Sequence, residues 1–407
     1  MTEAAVALEQ LWSVAGGDPG ALEQITLTGA DPLLPTDFKI GTAASAVIGA
    51  GALAAAELWR HRTARGQSVS VDMRAAVAAF RSERYLRVDG QVPPDPRGEI
   101  FGFYRAGDGR WIQLHGAMPH HRDGITSLLG CESTRAAAAA AVEKSEAGQL
   151  EDALAAAGLP AGMVRSRAEW WEHAQGQALA ALPLLEIVRI GDARPEPAGD
   201  GLRPLGGVRV LDLTRVIAGP VCGRTLASYG AEVLLVTAPH LPNMPRLVMD
   251  TGLGKLSASL DLRKADDAET LRQLIRGADV FCQSYRPGAL ARHGLSPEEV
   301  ARLRPGIVYL AAFGALIALG RRAREGGSYL VRVSLAQTGR WVDALGRVEG
   351  RRTPDLTLLA VDDLLAETDT PFGRLRHVAP PARLSETPAF WSRPAVPPGT
   401  HAPAWAV

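Results

Sequence analysis

A short turn in the second half of the sequence contains the groups best suited to bind an anion. The turn RVIAG, residues 215–219, separates the apolar run VRVLDL from a helix-like stretch that has Pro220 near its first position. Unpaired amides at the start of a helix carry partial positive charge, so a phosphate can bind there. The chain has 44 basic and 44 acidic side chains. Any anionic ligand must therefore be held by a local cluster, and neither nucleic acid nor an anionic membrane is an expected partner.

Three histidines lie close together in the stretch LHGAMPHHRDG: His115, His120 and His121. Imidazole groups can ligate a metal or relay protons. No matching cluster of histidine or cysteine occurs elsewhere in the sequence, so we interpret these residues as the end of a loop. The sequence predicts no metal cofactor.

The cysteines and glycines exclude further classes of cofactor. Cys131, Cys222 and Cys282 are odd in number, widely separated and form no CxxC pair, which argues against a disulfide framework and a zinc site. The absence of a GxGxxG motif disfavours a nicotinamide site. The N-terminal segment has neither the basic region nor the cleavage site of a signal peptide. A cytoplasmic location is expected.

The elements that would position the anion-binding turn follow from alternating apolar runs. Residues 207–313 alternate strand-like runs such as AEVLLV with helix-like stretches such as KADDAETLRQLIRGA. This order predicts a parallel sheet with helices on both faces. The expected fold class is α/β, with a Rossmann-like parallel-sheet domain, a smaller α+β domain and long connecting helices.

Proline- and glycine-rich stretches divide the chain into four predicted segments. These are a helical segment with one strand at 1–90, a small α+β domain at 91–200, a Rossmann-like domain with a further helix at 201–345, and an extended Pro-rich tail at 346–407.

A helix of small residues is predicted after Asp37. Its Ala- and Gly-rich run, residues 41–56, covers about 16 residues before the charged Glu57, whereas a membrane span needs ~20. We therefore expect a buried helix and no membrane. Residues 52–80 and 315–342 share a pattern of helix, basic patch, glycine turn, strand and second helix, which indicates a duplication.

Four stretches that follow one another along the chain, with short gaps between them, carry a family resemblance. They are GGVRVLDLTRVIAGPVCGRTLASYGAEVLLV, KLSASLDLR, GADVFCQSYRPGALARHGLS and RPGIVYLAAFG. They resemble the class III CoA-transferase family (CaiB/BaiF type), which includes formyl-CoA transferase and α-methylacyl-CoA racemase. HRTARGQSVSVDM is similar to a further strand of that family, and residues 100–200 are similar to its small domain. In the family the Rossmann-like part comes first, so this chain resembles a permuted or partly duplicated member.

The resemblance implies coenzyme A as cosubstrate and CoA transfer between an acyl-CoA and a carboxylic acid, through an aspartyl-acyl anhydride. Such a nucleophile requires a carboxylate at a helix N-terminus, with amides to hold the oxyanion. Asp37 is the candidate catalytic residue, and its alternative role is a helix N-cap. The family's aspartate is expected about four residues later, nearer Gly41. The family segment that follows IVYLAAFG and delivers this aspartate is absent here.

The resemblance also implies which residues contact CoA, by their positions within the matching motifs. For each lone arginine the alternative is a solvated charge. The set consists of Ile217 and Ala218, then Asp261, Leu262, Arg263 and Lys264, then Ser284, Tyr285 and Arg286, and finally Arg292.

An interlocked homodimer is a further implication of the resemblance. Two other functions stay open. An α-methylacyl-CoA racemase or isomerase would need a His/Asp acid–base pair, and no histidine lies in the corresponding loop. A catalytically inactive CoA-binding or scaffold protein would agree with the absent aspartate segment.

Overall fold

The structure is a computed structural model that describes residues 1–94, 97–197, 199, 201–310 and 314–406. The chain forms two compact units. The large unit comprises Met1–Pro93 and Pro183–Val407, and the small unit comprises Pro94–Leu182. The predicted small domain, 91–200, therefore extends beyond the compact unit at its C-terminal end. The reason is that residues 186–191 form a strand in the main sheet of the large unit.

The helices of the large unit are α1 Glu3–Val14, α2 Ile40–Thr63, α3 Met73–Phe80, α4 Ser82–Tyr85, α10 Ala218–Ser228, α11 Pro245–Thr251, α12 Ala265–Arg276, α13 Pro297–Leu303, α14 Ala315–Glu325 and α15 Leu335–Ala344. Short 3-10 helices lie at Pro19–Gln24, Ala291–His293 and Leu359–Leu364. Its strands are β1 Ile25–Thr28, β2 Val69–Asp72, β3 Arg87–Val88, β7 Glu186–Gly191, β8 Arg209–Asp212, β9 Glu232–Thr237, β10 Lys255–Ser259, β11 Val280–Cys282, β12 Val308–Leu310, β13 Ser328–Arg332, β14 Leu365–Thr370, β15 Gly373–Val378 and β16 Ala382–Leu384.

The main sheet has seven strands in the order β10-β9-β8-β11-β12-β13-β7. The strands from β8 to β13 are parallel, and β7 joins the edge antiparallel to β13. Val210, Val233, Val280 and Val308 are fully buried at the centre. Continuous apolar runs of this kind suit strands that are covered by helices on both faces. The predicted α/β fold with a Rossmann-like sheet is confirmed.

The C-terminal region contains three strands rather than only an extended tail. β14 and β15 form a sheet with β3, whereas β16 pairs antiparallel with β2 at the edge of the sheet β1-β2-β16. The Pro-rich composition favoured an extended tail, but pairing with strands from the first 90 residues determines the structure here. Residues beyond Leu384 have no regular secondary structure in the described part of the chain.

Helix α2 continues past the Ala- and Gly-rich run through the charged residues Glu57, Arg60 and Arg62, which agrees with a long helix predicted over residues 37–62. By length and composition it is the one helix among the described residues that could cross a membrane, yet 78% of its most apolar window is buried inside the chain. α1, α3 and α14 pack against it. The helix is therefore buried within the chain, as its small apolar residues predict.

Both copies of the predicted repeat form the same order of elements. The first copy comprises the end of α2, β2 and α3, and the second comprises α14, β13 and α15. The two strands belong to different sheets, since β2 lies in the three-stranded sheet and β13 in the seven-stranded sheet.

The small unit has its own sheet and core. Its strands β4 Gly102–Arg105, β5 Trp111–Leu114 and β6 Ala161–Met163 form an antiparallel sheet. Its helices are α5 Pro119–Leu129, α6 Arg135–Val142, α7 Ala147–Ala156, α8 Arg167–Glu172 and α9 Ala174–Ala180. Ile112, Leu114 and Ile125 are fully buried in a cluster that contains only residues of this unit. His115 and His120 are exposed, at the end of β5 and the start of α5.

Candidate functional site

The carboxyl edge of the seven-stranded sheet is the natural position for a ligand. The strand order runs in opposite directions on the two sides of the adjacent strands β8 and β11. In open α/β sheets a crevice forms at the carboxyl ends of two such strands, and ligands bind there. Every residue that the resemblance assigns to CoA follows the carboxyl end of β8, β10 or β11 in the chain.

The turn after β8 presents apolar side chains at this edge. Ile217 precedes α10, and its side chain is 50% exposed, as is that of Val216 at 44%. Val216 has a φ of 73°, which is rare for a β-branched residue and indicates local strain. The Arg215 guanidinium donates to the Pro242 carbonyl oxygen. Ala218 is the first residue of α10.

The segment after β10 is organised by one carboxylate. Asp261 accepts hydrogen bonds from Nε of Arg263 at 2.8 Å and from Nη2 at 2.7 Å. The Arg263 guanidinium holds the pKa of the Asp261 carboxyl well below its usual value. His240 Nδ1 lies 3.6 Å from the same carboxylate. Leu262 packs against the core, whereas Lys264 is exposed at the start of α12. Asp261 thus orients Arg263, and the guanidinium is already paired.

The segment after β11 contains the remaining predicted residues. The backbone amide of Tyr285 donates to the Gln283 side chain at 2.7 Å. Burial raises the pKa of the Tyr285 hydroxyl, and Arg215 acts in the opposite direction, so the tyrosine lies within electrostatic reach of the turn after β8. Ser284 and Arg286 are exposed. Arg292 is exposed and donates through Nε to the Ala289 carbonyl oxygen at 3.0 Å.

Two of the predicted cations are available for an anionic ligand. Within the described residues, Lys264 and Arg286 make no side-chain hydrogen bond or ion pair, whereas Arg263 is bound to Asp261. A CoA molecule carries phosphates, which such exposed cations and the adjacent helix start can bind.

Asp37 is not the N-cap of α2, and this alternative role is corrected. Its carboxylate pairs with the Arg351 guanidinium, and its carbonyl oxygen accepts from the Val348 amide at 2.8 Å. Asp31 caps the helix instead. Its Oδ1 accepts from the Gly41 amide at 2.9 Å and its Oδ2 from the Thr42 amide at 2.8 Å. Gly41 permits this approach, since a Cβ there would lie 2.6 Å from Asp31 Oδ1.

Sequence reasoning missed Asp31 and the buried pair formed by Asp212 and Lys255. Asp31 caps amides ten residues further along, beyond the short spacing by which an N-cap is recognised. Lys255 opens the run KLSASL as a charged residue of a buried strand, which is the signal that could have identified it. Its partner Asp212 lies 43 residues earlier.

Comparison with known proteins identifies the family. The family described as CoA-transferase family III matches residues 20–194 and 205–312. Similar proteins include the acetyl-coenzyme A transferase nodX of Hypoxylon pulicicidum, 33% identical over 53% of this chain and 40% of that protein. An acyl-CoA transferase of Gibberella moniliformis is 35% identical over 50% of this chain and 39% of that protein. This chain thus spans about two fifths of these curated relatives.

A crystal structure of a CAIB/BAIF family protein from Brucella suis is 21% identical, with a TM-score of 0.32, over 36% of this chain and 56% of that one. The family match alone covers well over half of the sequence. This chain belongs to CoA-transferase family III.

Proposed function

We propose that this chain binds CoA or an acyl-CoA at the carboxyl edge of its seven-stranded sheet and takes part in CoA transfer to a carboxylic acid. The observation that carries the proposal is the coincidence of two independent features. The family match over residues 205–312 covers the strands β8 and β11, between which the strand order reverses, and ligands of open α/β sheets commonly bind at such a reversal. The exposed cations Lys264 and Arg286 lie after strands of the same sheet and would bind the phosphates.

The transfer itself requires a carboxylate nucleophile. The carboxylate attacks the thioester carbonyl, the C–S bond breaks, and CoA leaves as a thiolate while an acyl-aspartyl anhydride forms. The thiolate then attacks the aspartyl carbonyl, which releases the donor acid and leaves an aspartyl-CoA thioester. The acceptor carboxylate attacks this thioester and displaces the CoA thiolate, which forms a second anhydride. The thiolate attacks the acceptor carbonyl of this anhydride, which gives the new acyl-CoA and the free aspartate. The oxyanions of these steps need hydrogen-bond donors that are already in place. The amides at the start of a helix are such donors.

Two aspartates near the start of α2 are candidates for this nucleophile. The carboxylate of Asp37, the candidate from the resemblance, is paired with the Arg351 guanidinium. Asp31 already contacts the amides of Gly41 and Thr42, which is the arrangement that would stabilise an oxyanion on its carbonyl carbon. The geometry therefore favours Asp31, and Asp37 serves as the matched comparison.

Binding is tested first, by thermal unfolding of the whole chain with CoA and with acetyl-CoA. A ligand at ~100 times its dissociation constant that binds only the folded state adds about 2.7 kcal/mol. We expect the unfolding temperature to rise with ligand concentration. An unfolding curve that stays unchanged at millimolar concentrations of both ligands would remove the proposal.

The nucleophile is tested by incubation with acyl-CoA and hydroxylamine, followed by peptide mass spectrometry. An anhydride at Asp31 would give a hydroxamate at that residue, absent in Asp31→Asn and retained in Asp37→Asn. Modification confined to Asp37 would reverse the assignment. CoA binding with neither residue modified would support the second candidate, a CoA-binding chain without turnover. That candidate is favoured by the absence of the family segment that delivers the catalytic aspartate. In this sequence Gly314, where that segment would begin, is followed directly by α14.

The homodimer, the cytoplasmic location and the absence of a metal, membrane or nucleic-acid partner stay predictions. Among the described residues, no group of three or more His, Cys, Asp and Glu side chains could hold a metal ion.

A further inference from the structure

A charged pair is buried beneath the turn of the proposed CoA site. The Lys255 side chain is 1% exposed and the Asp212 side chain is not exposed at all. Lys255 Nζ donates to Asp212 Oδ2 at 2.8 Å and to the Pro220 carbonyl oxygen at 2.8 Å. A buried ion pair is expensive to desolvate and often adds little net stability. Its presence in the buried centre of the large unit therefore calls for a role other than stability.

The pair is connected to both ends of the turn. At the first end, Asp212 Oδ1 accepts from the Thr214 amide at 2.9 Å and from the Thr214 hydroxyl at 2.6 Å. At the second end, Lys255 holds the carbonyl of Pro220, in the first turn of α10. The turn between Asp212 and Ala218 is thus anchored on both sides by hydrogen bonds to a single pair of charges, at Thr214 within it and at Pro220 just beyond it.

Glycines keep these contacts short. A Cβ at Gly219 would lie 2.3 Å from the Thr214 side chain, and a Cβ at Gly223 would lie 2.5 Å from Asp212 Oδ2 and 2.9 Å from Lys255 Nζ. Any larger residue would push α10 away from the pair. The helix start is therefore held close to the end of β8 by packing and by hydrogen bonds together.

The fixed turn contains the strained residue. Val216 has a φ of 73°, and the side chains of Val216 and Ile217 are about half exposed at the sheet edge. A strained backbone persists only where its surroundings determine it. Here the surroundings include the bonds of the buried pair to Thr214 and Pro220 and the bond from Arg215 to the Pro242 carbonyl oxygen.

We infer that Lys255 and Asp212 are positioning residues, which hold the turn 213–217 in the shape that the ligand requires without touching the ligand. This inference rests on the proposed CoA site. It predicts that removal of the charges weakens CoA binding more than it weakens the fold.

The chain offers a matched control in its second buried pair. Arg224, also on α10, donates through Nη1 to Asp250 Oδ2 at 2.9 Å, and the two side chains are 7% and 3% exposed. This pair contacts Ser82 rather than the turn. It is buried like the Lys255–Asp212 pair, and it also anchors α10, through Arg224 rather than through the Pro220 carbonyl.

The experiment measures CoA affinity by isothermal titration calorimetry, with the unfolding temperature measured on each variant. The double variant Asp212→Asn/Lys255→Met keeps the side-chain sizes similar and an acceptor for Thr214. We expect its dissociation constant to rise at least ~10-fold. The control Arg224→Met/Asp250→Asn should stay within ~2-fold of wild type.

If the double variant does not fold, two single substitutions at Thr214, which leave the buried charges in place, test whether the pair positions the turn. Thr214→Val removes the hydroxyl, and Thr214→Ser retains it. Weaker CoA binding in Thr214→Val, restored in Thr214→Ser, would support positioning. Folded variants that bind CoA as the wild type does would overturn it. A wild-type chain that does not bind CoA would instead overturn the proposed function.

Discussion

His377 is a buried histidine whose surroundings favour the neutral ring. Its side chain lies on β15, 3% exposed, and its ring centroid is 5.5 Å from that of Trp391. Its Nδ1 lies 3.2 Å from the Val378 carbonyl oxygen, which places the proton on Nδ1, so Nε2 accepts from the Thr368 hydroxyl at 2.9 Å. Burial lowers the pKa of His377 below its ordinary value of 6.5.

This shift makes the stability of the large unit depend on pH. The unfolded chain binds a proton at His377 more readily than the folded chain does, so stability rises with pH through this range. The stability that the neutral His377 ring contributes is complete above the unfolded pKa of 6.5. This contribution is lost as the pH falls from 6.5 toward the lower pKa of the folded chain. We expect His377→Gln to show a smaller difference in urea midpoint between pH 7.5 and 5.5 than wild type. His120→Gln, at an exposed position, should retain the full difference, and equal dependence in all three chains would contradict the assignment.

The sequence could place only those site residues whose position follows from the local pattern of strands and helices. Ile217, Lys264 and Arg286 were placed after strands, and they lie at the carboxyl edge because parallel strands all end there. Asp31 and Lys255 were missed, because their roles depend on contacts with residues 10 and 43 positions away. Such contacts are set by packing rather than by local spacing.

At the scale of elements, the alternation of strand-like apolar runs with helix-like stretches predicted the central sheet well. It did not predict the C-terminal strands. The runs around Val210 and Val280 are buried on both faces and have a strong apolar pattern. The strand β16 has three residues, and its pairing partner β2 lies more than 300 residues earlier in the chain. A short strand in a Pro-rich stretch carries little pattern of its own.

We expect β16 to be an essential part of the fold rather than a dispensable tail. Leu384, 3% exposed, lies opposite Val69 of β2 and joins the main core cluster. Leu384→Ala should cost about 2–5 kcal/mol, because a buried leucine leaves a cavity. Leu359→Ala, at a position 84% exposed, should stay within about 0.5 kcal/mol. Equal stabilities of the two variants in urea unfolding would show that β16 is not docked.

At the scale of the whole molecule, the chain is one unit interrupted by another. The large unit is assembled from both ends of the sequence, and the small unit occupies the stretch between Pro93 and Pro183. The sequence predicted the existence of a small α+β domain here. It could not place the domain's C-terminal boundary, because β7 follows the domain in the chain yet pairs with β13, some 140 residues later.

The small unit should therefore fold alone. Its buried cluster, which includes Tyr104, Ile112 and Leu154, contains no residue from outside Pro94–Leu182, and a chain of this size can bury a sufficient core. We expect the fragment 94–182 to give a helical circular dichroism spectrum, dispersed amide resonances and a cooperative unfolding transition. Ile112→Ala should lower the stability of the fragment by about 2–5 kcal/mol. In the whole chain it should shift only the transition of the small unit. A fragment with the spectrum of an unfolded chain would show that the large unit is needed to maintain this core.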